Sequence, residues 1–238
     1  MNNACSPLIL KLAVSSAAMS PQLAALLALQ RAEEPETRVV ISEGSSIDLF
    51  RGLDKGDYDV GITSETSTAF TVSIQQLWRV ELAVALPLRS PLLAHRTIPL
   101  EALRPAPLIY GFPPTLEVLS RLADTVVDNQ DRAFSRIMSF ELMTGMVAAG
   151  YGIGIAPQAR ILQARGSGIV MRPFAEGPIV LGTGLFRAAG NTAPAIERFA
   201  RRAHAVAESD YRNTPLSRAA HRIPNEWQRT DSLMSAPR

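Results

Sequence analysis

Residues 140–157 read Phe-Glu-Leu-Met-Thr-Gly-Met-Val-Ala-Ala-Gly-Tyr-Gly-Ile-Gly-Ile-Ala-Pro, and this stretch is the one on which the fold assignment rests. Apolar residues recur at helical spacing between 142 and 147, which predicts a short amphipathic helix. Gly150 follows the last apolar turn, where helices most often end in a left-handed residue. Residues 152–155 then predict a small-residue strand that Pro157 stops. Helix, glycine stop and glycine-bearing strand together bring the backbone close to a ligand or to another element.

The glycines of this stretch do not form a nucleotide-binding loop. A dinucleotide fingerprint opens a helix after a strand, whereas here the glycines follow a helix and enter a strand. No Gly-Lys-Ser or Gly-Lys-Thr sequence accompanies them either, so a nucleoside triphosphatase is not supported.

The N-terminal part of the chain alternates between strand and helix patterns. Strands are predicted at Leu8–Val14, Arg38–Ser42 and Asp59–Thr63, with helices from Ser20 to about Glu33 and over Ile47–Leu53. Ser20 followed by proline is a helix start, with the serine as N-cap. Strands that alternate with helices predict a parallel sheet with right-handed crossovers.

The second part of the chain repeats this plan between Val80 and Phe186. The predicted strands are 77–88, 108–110, 136–138, 169–171 and 179–186, and the predicted helices are 115–124, 159–164 and Pro194–Ala207. Nothing suggests a flexible linker between the halves, and the joining segments are themselves strands. We therefore expect two α/β lobes hinged by extended crossovers.

Composition and charge exclude several classes of protein. With 24 basic and 22 acidic residues the net charge is +2, so no strong field favours nucleic acid. Cys5 is the only cysteine, which rules out an intrachain disulfide and a CxxC metal site. The three histidines are far apart, and no serine lies in a Gly-x-Ser-x-Gly elbow. We predict no catalytic residues, no metal and no cofactor.

The targeting signals favour the cytoplasm. No apolar run is long enough to span a bilayer. A signal peptide needs a basic segment first, whereas here Lys11 interrupts the apolar run near the start. We expect a cytoplasmic protein with no membrane contact.

Hydroxyl residues accompany several helix starts that follow strand ends. Ser15, Ser16, Ser45 and Ser139 have this position, and Ser64 follows the third strand. Ligands of open parallel sheets bind at the carboxyl ends of the strands, where helix N-termini favour carboxylates or phosphates. The alternative is that each hydroxyl only caps its own helix. Both roles stay open at this point.

The order of elements resembles the effector-binding domain of LysR-type transcriptional regulators. The resemblance covers about residues 8–208, and its most specific part is Met138–Pro157. Further matching segments are Leu10–Val14, Val39–Gly44, Leu49–Ile62 and Val84–Leu92.

The resemblance implies an α/β fold of two lobes, similar to type 2 periplasmic binding proteins, with mostly parallel sheets and two crossover strands. Lobe I would comprise 8–78 plus 187–208, lobe II 79–186, and 209–238 would form a disordered tail. It implies a non-enzymatic sensor of a small anionic or carboxylate effector bound between the lobes. Ligand contacts would come from Ser15, Ser16, Ser45, Ser64, Gly111, Phe112, Ser139 and Phe140.

The sequence departs from the family pattern at its start. Only seven residues precede Leu8, too few for a winged helix-turn-helix, so we expect no sequence-specific DNA binding by this chain alone. The family implies a homodimer, or a mixed dimer with a full-length regulator. The alternatives are a solute-binding protein of a transport system, an enzyme of the same shape, and a truncated regulator that acts only through mixed dimerisation.

Overall fold

Lobe I is built from the N-terminal strand and helix pattern. The computed structural model describes residues 8–64, 70, 72–110, 135–137, 139–164 and 166–213. The first elements are β1 (Ile9–Ser15), a 3-10 turn (Ser16–Ala18), α1 (Pro21–Glu33), β2 (Arg38–Gly44), α2 (Ser46–Lys55) and β3 (Val60–Thr63). β1 lies between β2 and β3 and is parallel to both, which confirms the predicted parallel sheet.

The sequence signals at helix ends act as expected. The Ser20 hydroxyl accepts a hydrogen bond of 3.3 Å from the Leu23 amide at the start of α1, and Pro21 occupies the first helical position. Gly56 ends α2 with φ of 76°, a left-handed conformation that glycine adopts without a steric penalty.

Two long antiparallel strands connect the lobes. β4 (Val72–Pro87) and β9 (Ile179–Ala188) pair from Val72↔Ala188 to Leu82↔Ile179, with a register shift between Gln76 and Arg79. β9 also pairs with β3 of lobe I, and β4 pairs with β7 of lobe II. The prediction of two crossover strands is confirmed, although β4 begins at Val72, earlier than the predicted Leu77.

Lobe II contains the glycine-bearing stretch. Its elements are two 3-10 turns (Pro91–Ala94 and Leu100–Leu103), β5 (Leu108–Tyr110), β6 (Ser135–Arg136), α3 (Phe140–Ala148), β7 (Ile153–Pro157), α4 (Gln158–Gln163) and β8 (Ile169–Arg172). β7 is parallel to β5 and antiparallel to β4. The predicted strand 136–138 is wrong in its bounds, because β6 covers Ser135–Arg136 and Ile137 lies outside any strand.

Two glycines of the stretch allow close packing, Gly154 against α3 and Gly152 against the backbone at Pro107. A Cβ on Gly154 would lie 3.0 Å from Met143 Sδ and 3.0 Å from Val147 Cγ2, both on α3. A Cβ on Gly152 would lie 2.4 Å from the Pro107 carbonyl oxygen. The close approach that the sequence predicted is therefore to another element of the protein.

The core is divided between the lobes. One sheet face of lobe I packs on α1 and on α5 (Pro194–Asn213), and the opposite face packs on α2. Lobe II likewise has separate apolar clusters on its two faces. Along β9, Leu181 belongs to the lobe II core and Leu185 to the lobe I core, so the cores change over a few residues before the predicted boundary at 186/187.

The C-terminal helix is longer than predicted. α5 continues to Asn213, so residues 209–213 are helical and do not belong to a disordered tail. Residues 214–238 lie outside the described residues, and so does the predicted helix 115–124.

Candidate functional site

The topology places a cleft between the carboxyl ends of both sets of parallel strands. In lobe I, β3 ends at Thr63, which pairs with Gly184 of β9. In lobe II, β7 ends at Pro157, opposite Leu82, and Leu82 pairs with Ile179. Ile179 and Gly184 lie five residues apart on β9, roughly 17 Å of extended strand. The two edges therefore face each other across the central part of the crossovers, which forms the floor of this interlobe cleft.

One face of the cleft floor is uncovered. Val180, Gly182 and Phe186 share a face of β9, and Phe186 packs on α2 in lobe I. Val180 is 36% exposed, and a Cβ added to Gly182 would meet nothing within 4 Å. Arg79 and Glu81 pair with Gly182 and Val180, so they belong to the same stretch of floor.

Glu81 is a half-buried carboxyl group in this floor. Burial raises the pKa of Glu81 above its ordinary value, because the charged form loses hydration. Among the described residues, no side chain forms a hydrogen bond or ion pair with it. A carboxyl group with a perturbed pKa in a cleft is a candidate for a functional role.

Buried hydroxyl groups tie the strand ends of lobe I together. Ser15 donates a hydrogen bond of 2.9 Å to the Thr63 hydroxyl, and Ser46 lies 3.0 Å from the same oxygen. Ser64 and Thr183 form a second buried pair at 2.9 Å. Because these hydroxyls already hydrogen-bond one another, their contact with a ligand stays a prediction.

The hydroxyl protons of Ser45 and Ser139, at the starts of two helices, are also used in hydrogen bonds. Ser45 accepts from the Asp48 amide at 3.2 Å and donates to Asp48 Oδ2 at 2.6 Å. Ser139 accepts from the Leu142 amide at 3.2 Å and donates to Glu141 Oε2 at 2.9 Å. A hydroxyl group has one proton to donate, so neither serine can donate to an anion without losing its present bond. The capping role considered above is observed for both serines, and their contact with a ligand stays a prediction.

Ser16 differs from these serines. It is half-buried at the start of the 3-10 turn that follows β1. In the part of the chain that the structure describes, its hydroxyl has no hydrogen-bonding partner. Among the described residues, Ser16 is therefore a predicted serine whose hydroxyl group is available to a ligand.

Arg160 supplies a positive charge at the cleft. It lies on α4, directly after β7, with its guanidinium carbon 4.3 Å from the centre of the Phe140 ring. Its Nη2 donates to Glu141 Oε1 at 3.3 Å. Burial lowers the pKa of Arg160, whereas the carboxylates of Glu141 and Glu43 act against that change. The group stays charged, because an arginine in a protein does not lose its proton.

The effect of Glu43 on the pKa of Arg160 acts between the two lobes. Glu43 is near the end of β2 in lobe I, and Arg160 is in lobe II. Glu141 lies in the first turn of α3, where the bond to its own backbone amide and the bond from Ser139 lower its pKa. The cleft thus brings together a stacked arginine and several carboxylates.

Two cavities lie in lobe II. The first, of about 510 Å³, lies between α3 and α4 and includes Phe140, Thr144 and Arg160 in its lining. The second, of about 670 Å³, lies at the far end of the lobe and is lined mostly by apolar, proline and glycine residues of 87–92, 105–107 and 148–153, together with Arg89 and Ser90. We call the second the distal cavity. The first is the one whose lining includes Phe140 and Arg160.

The predicted site residues separate into groups. Ser15, Ser16, Ser45 and Ser64 lie at the strand ends of lobe I, and Ser139 and Phe140 at the facing edge of lobe II. Gly111 and Phe112 lie outside the described residues. Sequence reasoning missed Thr63, Thr183, Arg160 and Glu81. Of these, Glu81 had a signal, since it is a single charge within the apolar run from Val80 to Leu86.

Comparison with known proteins reveals one family and a set of similar folds. The family model described as LysR substrate binding domain matches residues 9–208. The effector-binding domain of QuiR, solved in complex with shikimate, is 15% identical with a TM-score of 0.75, covering 84% of this chain and 97% of that one. Full-length BenM carrying E226K is 16% identical with a TM-score of 0.72. The match covers 91% of this chain and 70% of that one.

A third similar structure is HinK, a LysR family transcriptional regulator from Pseudomonas aeruginosa. It is 20% identical with a TM-score of 0.70, covering 83% of this chain and 69% of that one. Comparison with curated proteins finds no match. At these identities the solved structures show the fold, and they agree with the predicted two-lobed architecture.

The described residues carry neither a membrane-spanning helix nor a metal-binding cluster. Within the described ranges, no helix has both the length and the apolar character needed to cross a bilayer. The same residues contain no group of three or more His, Cys, Asp or Glu side chains that could hold a metal ion.

Proposed function

The chain belongs to the LysR substrate-binding domain family, and on that premise we propose that it binds a small carboxylate effector in the interlobe cleft, as a non-enzymatic sensor of a transcription regulator. The proposal rests on the environment of Arg160. Its guanidinium is stacked on Phe140, is mostly buried, and uses one donor on Glu141 among the described residues. The remaining donors suit a carboxylate, which arginine binds through paired N–H groups.

The cleft geometry supports a sensing role. The strand ends of the two lobes face each other, so a ligand between them contacts both. Ser16 offers a hydroxyl from lobe I, and Arg160 a charge from lobe II. A ligand held by both lobes favours one arrangement of the lobes over another, since it can shift an equilibrium only through different contacts in the two states.

The family context extends the proposal to partners and compartment. We place the protein in the cytoplasm as a homodimer, or as a mixed dimer with a full-length regulator. β2 is an outer strand of the sheet, and its Val40 and Ile41 are 39% and 49% exposed. An exposed apolar edge of this kind is suited to association with a second chain.

Thermal unfolding in the presence of paired ligands tests the proposal. Benzoate, 3-hydroxybenzoate and other small carboxylates are compared with their uncharged amides. A ligand at about 100 times its Kd adds roughly 2.7 kcal/mol to stability, so a binding carboxylate raises Tm and its amide does not. A panel in which no carboxylate raises Tm contradicts the proposed function.

A further inference from the structure

A carboxyl group without a partner in the cleft floor points to the chemistry of the effector. Glu81 is flanked on β9 by the exposed Val180, and the backbone at Gly182 opens to free space. Ala83, two residues further along the same face of β4, packs against α3 and α4. The Glu81 side chain therefore lies beside the helices that carry Phe140 and Arg160, at the base of the cleft.

No described group of the protein donates a hydrogen bond to this half-exposed carboxyl group or forms an ion pair with it. The nearest cation along the strand, Arg79, is exposed and has no ion pair with Glu81 among the described contacts. Partial burial removes part of the hydration of this carboxyl group, so its charged form is less stable than in open water. A ligand that supplies a hydrogen-bond donor compensates for the lost hydration.

We propose that Glu81 recognises a hydrogen-bond donor of the effector, so that the effector carries a carboxylate and also a hydroxyl or amino group. This inference rests on the proposed function, because Arg160 is assigned to the carboxylate. A plain carboxylate without a donor leaves Glu81 unpaired and meets a like charge in the floor. Sites built around a polar group reject analogues that lack the matching group more strongly than apolar pockets reject size differences.

Calorimetric titration with benzoate, 3-hydroxybenzoate and 3-(aminomethyl)benzoate, together with the 4-substituted analogues, tests the inference. In the wild type, at least one donor-bearing ligand binds at least tenfold more tightly than benzoate. In Glu81→Leu this preference falls below about twofold. Glu81→Gln keeps a preference for the hydroxyl group but loses any additional preference for the ammonium group.

The Tm of the unliganded variants separates an effect on ligand recognition from an effect on folding. Because Glu81 has no partner in the described residues, Glu81→Leu keeps or raises the Tm of the unliganded protein, and Glu81→Gln carries the binding test if the leucine variant fails to fold. Glu101→Gln, at an exposed position of the same lobe, is the matched control and leaves the ligand preference unchanged.

Two failures can be told apart. If the wild type binds benzoate as tightly as every donor-bearing analogue, or if Glu81→Leu keeps the preference, the role of Glu81 is overturned and the cleft function survives. If no carboxylate binds at all, the proposed function and this inference are overturned together.

Discussion

Arg160 has two contacts that a ligand could exploit or compete with. It stacks on Phe140 and donates to Glu141, and the charge of Glu43 favours its protonated form. Lysine cannot reproduce this arrangement, because its ammonium is a point charge that lacks the planar fork of guanidinium. The residue therefore contributes both charge and geometry to the cleft.

Replacement of Arg160 should weaken carboxylate binding. We expect Arg160→Ala to lower affinity at least tenfold, in line with the roughly 1.5–3 kcal/mol of a hydrogen bond to a charged group. Arg160→Lys should recover only part of the loss. Calorimetry with the carboxylate that binds the wild type most tightly measures both effects. Arg104→Ala, at an exposed position of lobe II, is the control, and an equal loss there would remove Arg160 from the site.

Ser139 should affect stability more than binding. Its hydroxyl caps α3 and bonds to Glu141, so Ser139→Ala is expected to cost about 1 kcal/mol of unfolding free energy. Carboxylate affinity should change less than threefold. Urea unfolding measures the stability of the variant, and calorimetry on the same samples measures its carboxylate affinity. A large affinity loss at unchanged stability would show that the hydroxyl contacts ligand.

The site was only partly predictable at the residue scale. Serine before a helix pattern predicts a cap, and the caps at Ser20, Ser45 and Ser139 are observed. Which proton a hydroxyl donates depends on neighbours such as Asp48, whose rotamers are not in the sequence pattern. The stacking of Arg160 on Phe140 depends on the packing of two helices, which spacing along the chain does not give.

At the scale of secondary-structure elements, two glycines of residues 140–157 have opposite expected effects on stability. A methyl group on Gly152 would meet the Pro107 carbonyl at 2.4 Å, so Gly152→Ala should displace backbone and destabilise the protein by about 1–3 kcal/mol. Gly145, inside α3, has nothing within 4 Å of an added Cβ, so Gly145→Ala should stabilise by up to about 1 kcal/mol. Chemical denaturation measures both, and equal effects would show that the packing argument is wrong.

Helices α1 and α5 are joined by a buried ion network. Arg198 and Arg202 both bond to Glu34, the Arg202 contact being 2.9 Å, and Arg202 also bonds to Glu33 at 2.7 Å. Burial raises the pKa of Glu34, but the bonds from the two arginines and from Gln30 outweigh burial and lower it to about 2. The network therefore makes stability depend on pH.

The sign of that dependence follows from the lowered pKa. An ordinary glutamate titrates near 4.5, so the contribution of Glu34 is complete above that pH and is lost as pH falls towards about 2. A shift of this size corresponds to about 3 kcal/mol. Urea unfolding from pH 6 to 2.5 should show a smaller loss in Glu34→Gln than in wild type. Parallel pH profiles of the two proteins would contradict the assignment.

Sequence patterns do not predict all the ends of the strands and helices. Apolar alternation predicted β4 from Leu77, but the strand begins at Val72 because β9 supplies hydrogen-bond partners as far as Ala188. The helix α5 passes the predicted end at Ala207 and continues to Asn213. For β4, a partner strand distant in sequence sets the limit.

At the scale of the whole molecule, two lobes share one sheet and meet at the crossover strands. The alternation of strands and helices predicted this architecture, and the family match and similar structures agree with it. The position of the cleft follows from strand direction alone. Its charge does not, because Arg160, Glu43 and Glu81 come from three different elements.

The most direct test of effector binding between the lobes is chemical-shift mapping of the labelled protein with the carboxylate that raises Tm most. We predict perturbed backbone amides in both lobes, around Ser16 in lobe I and around Phe140 and Arg160 in lobe II, together with Glu81 in the floor. Perturbations confined to the distal cavity or to one lobe, or none at saturating ligand, would contradict the account.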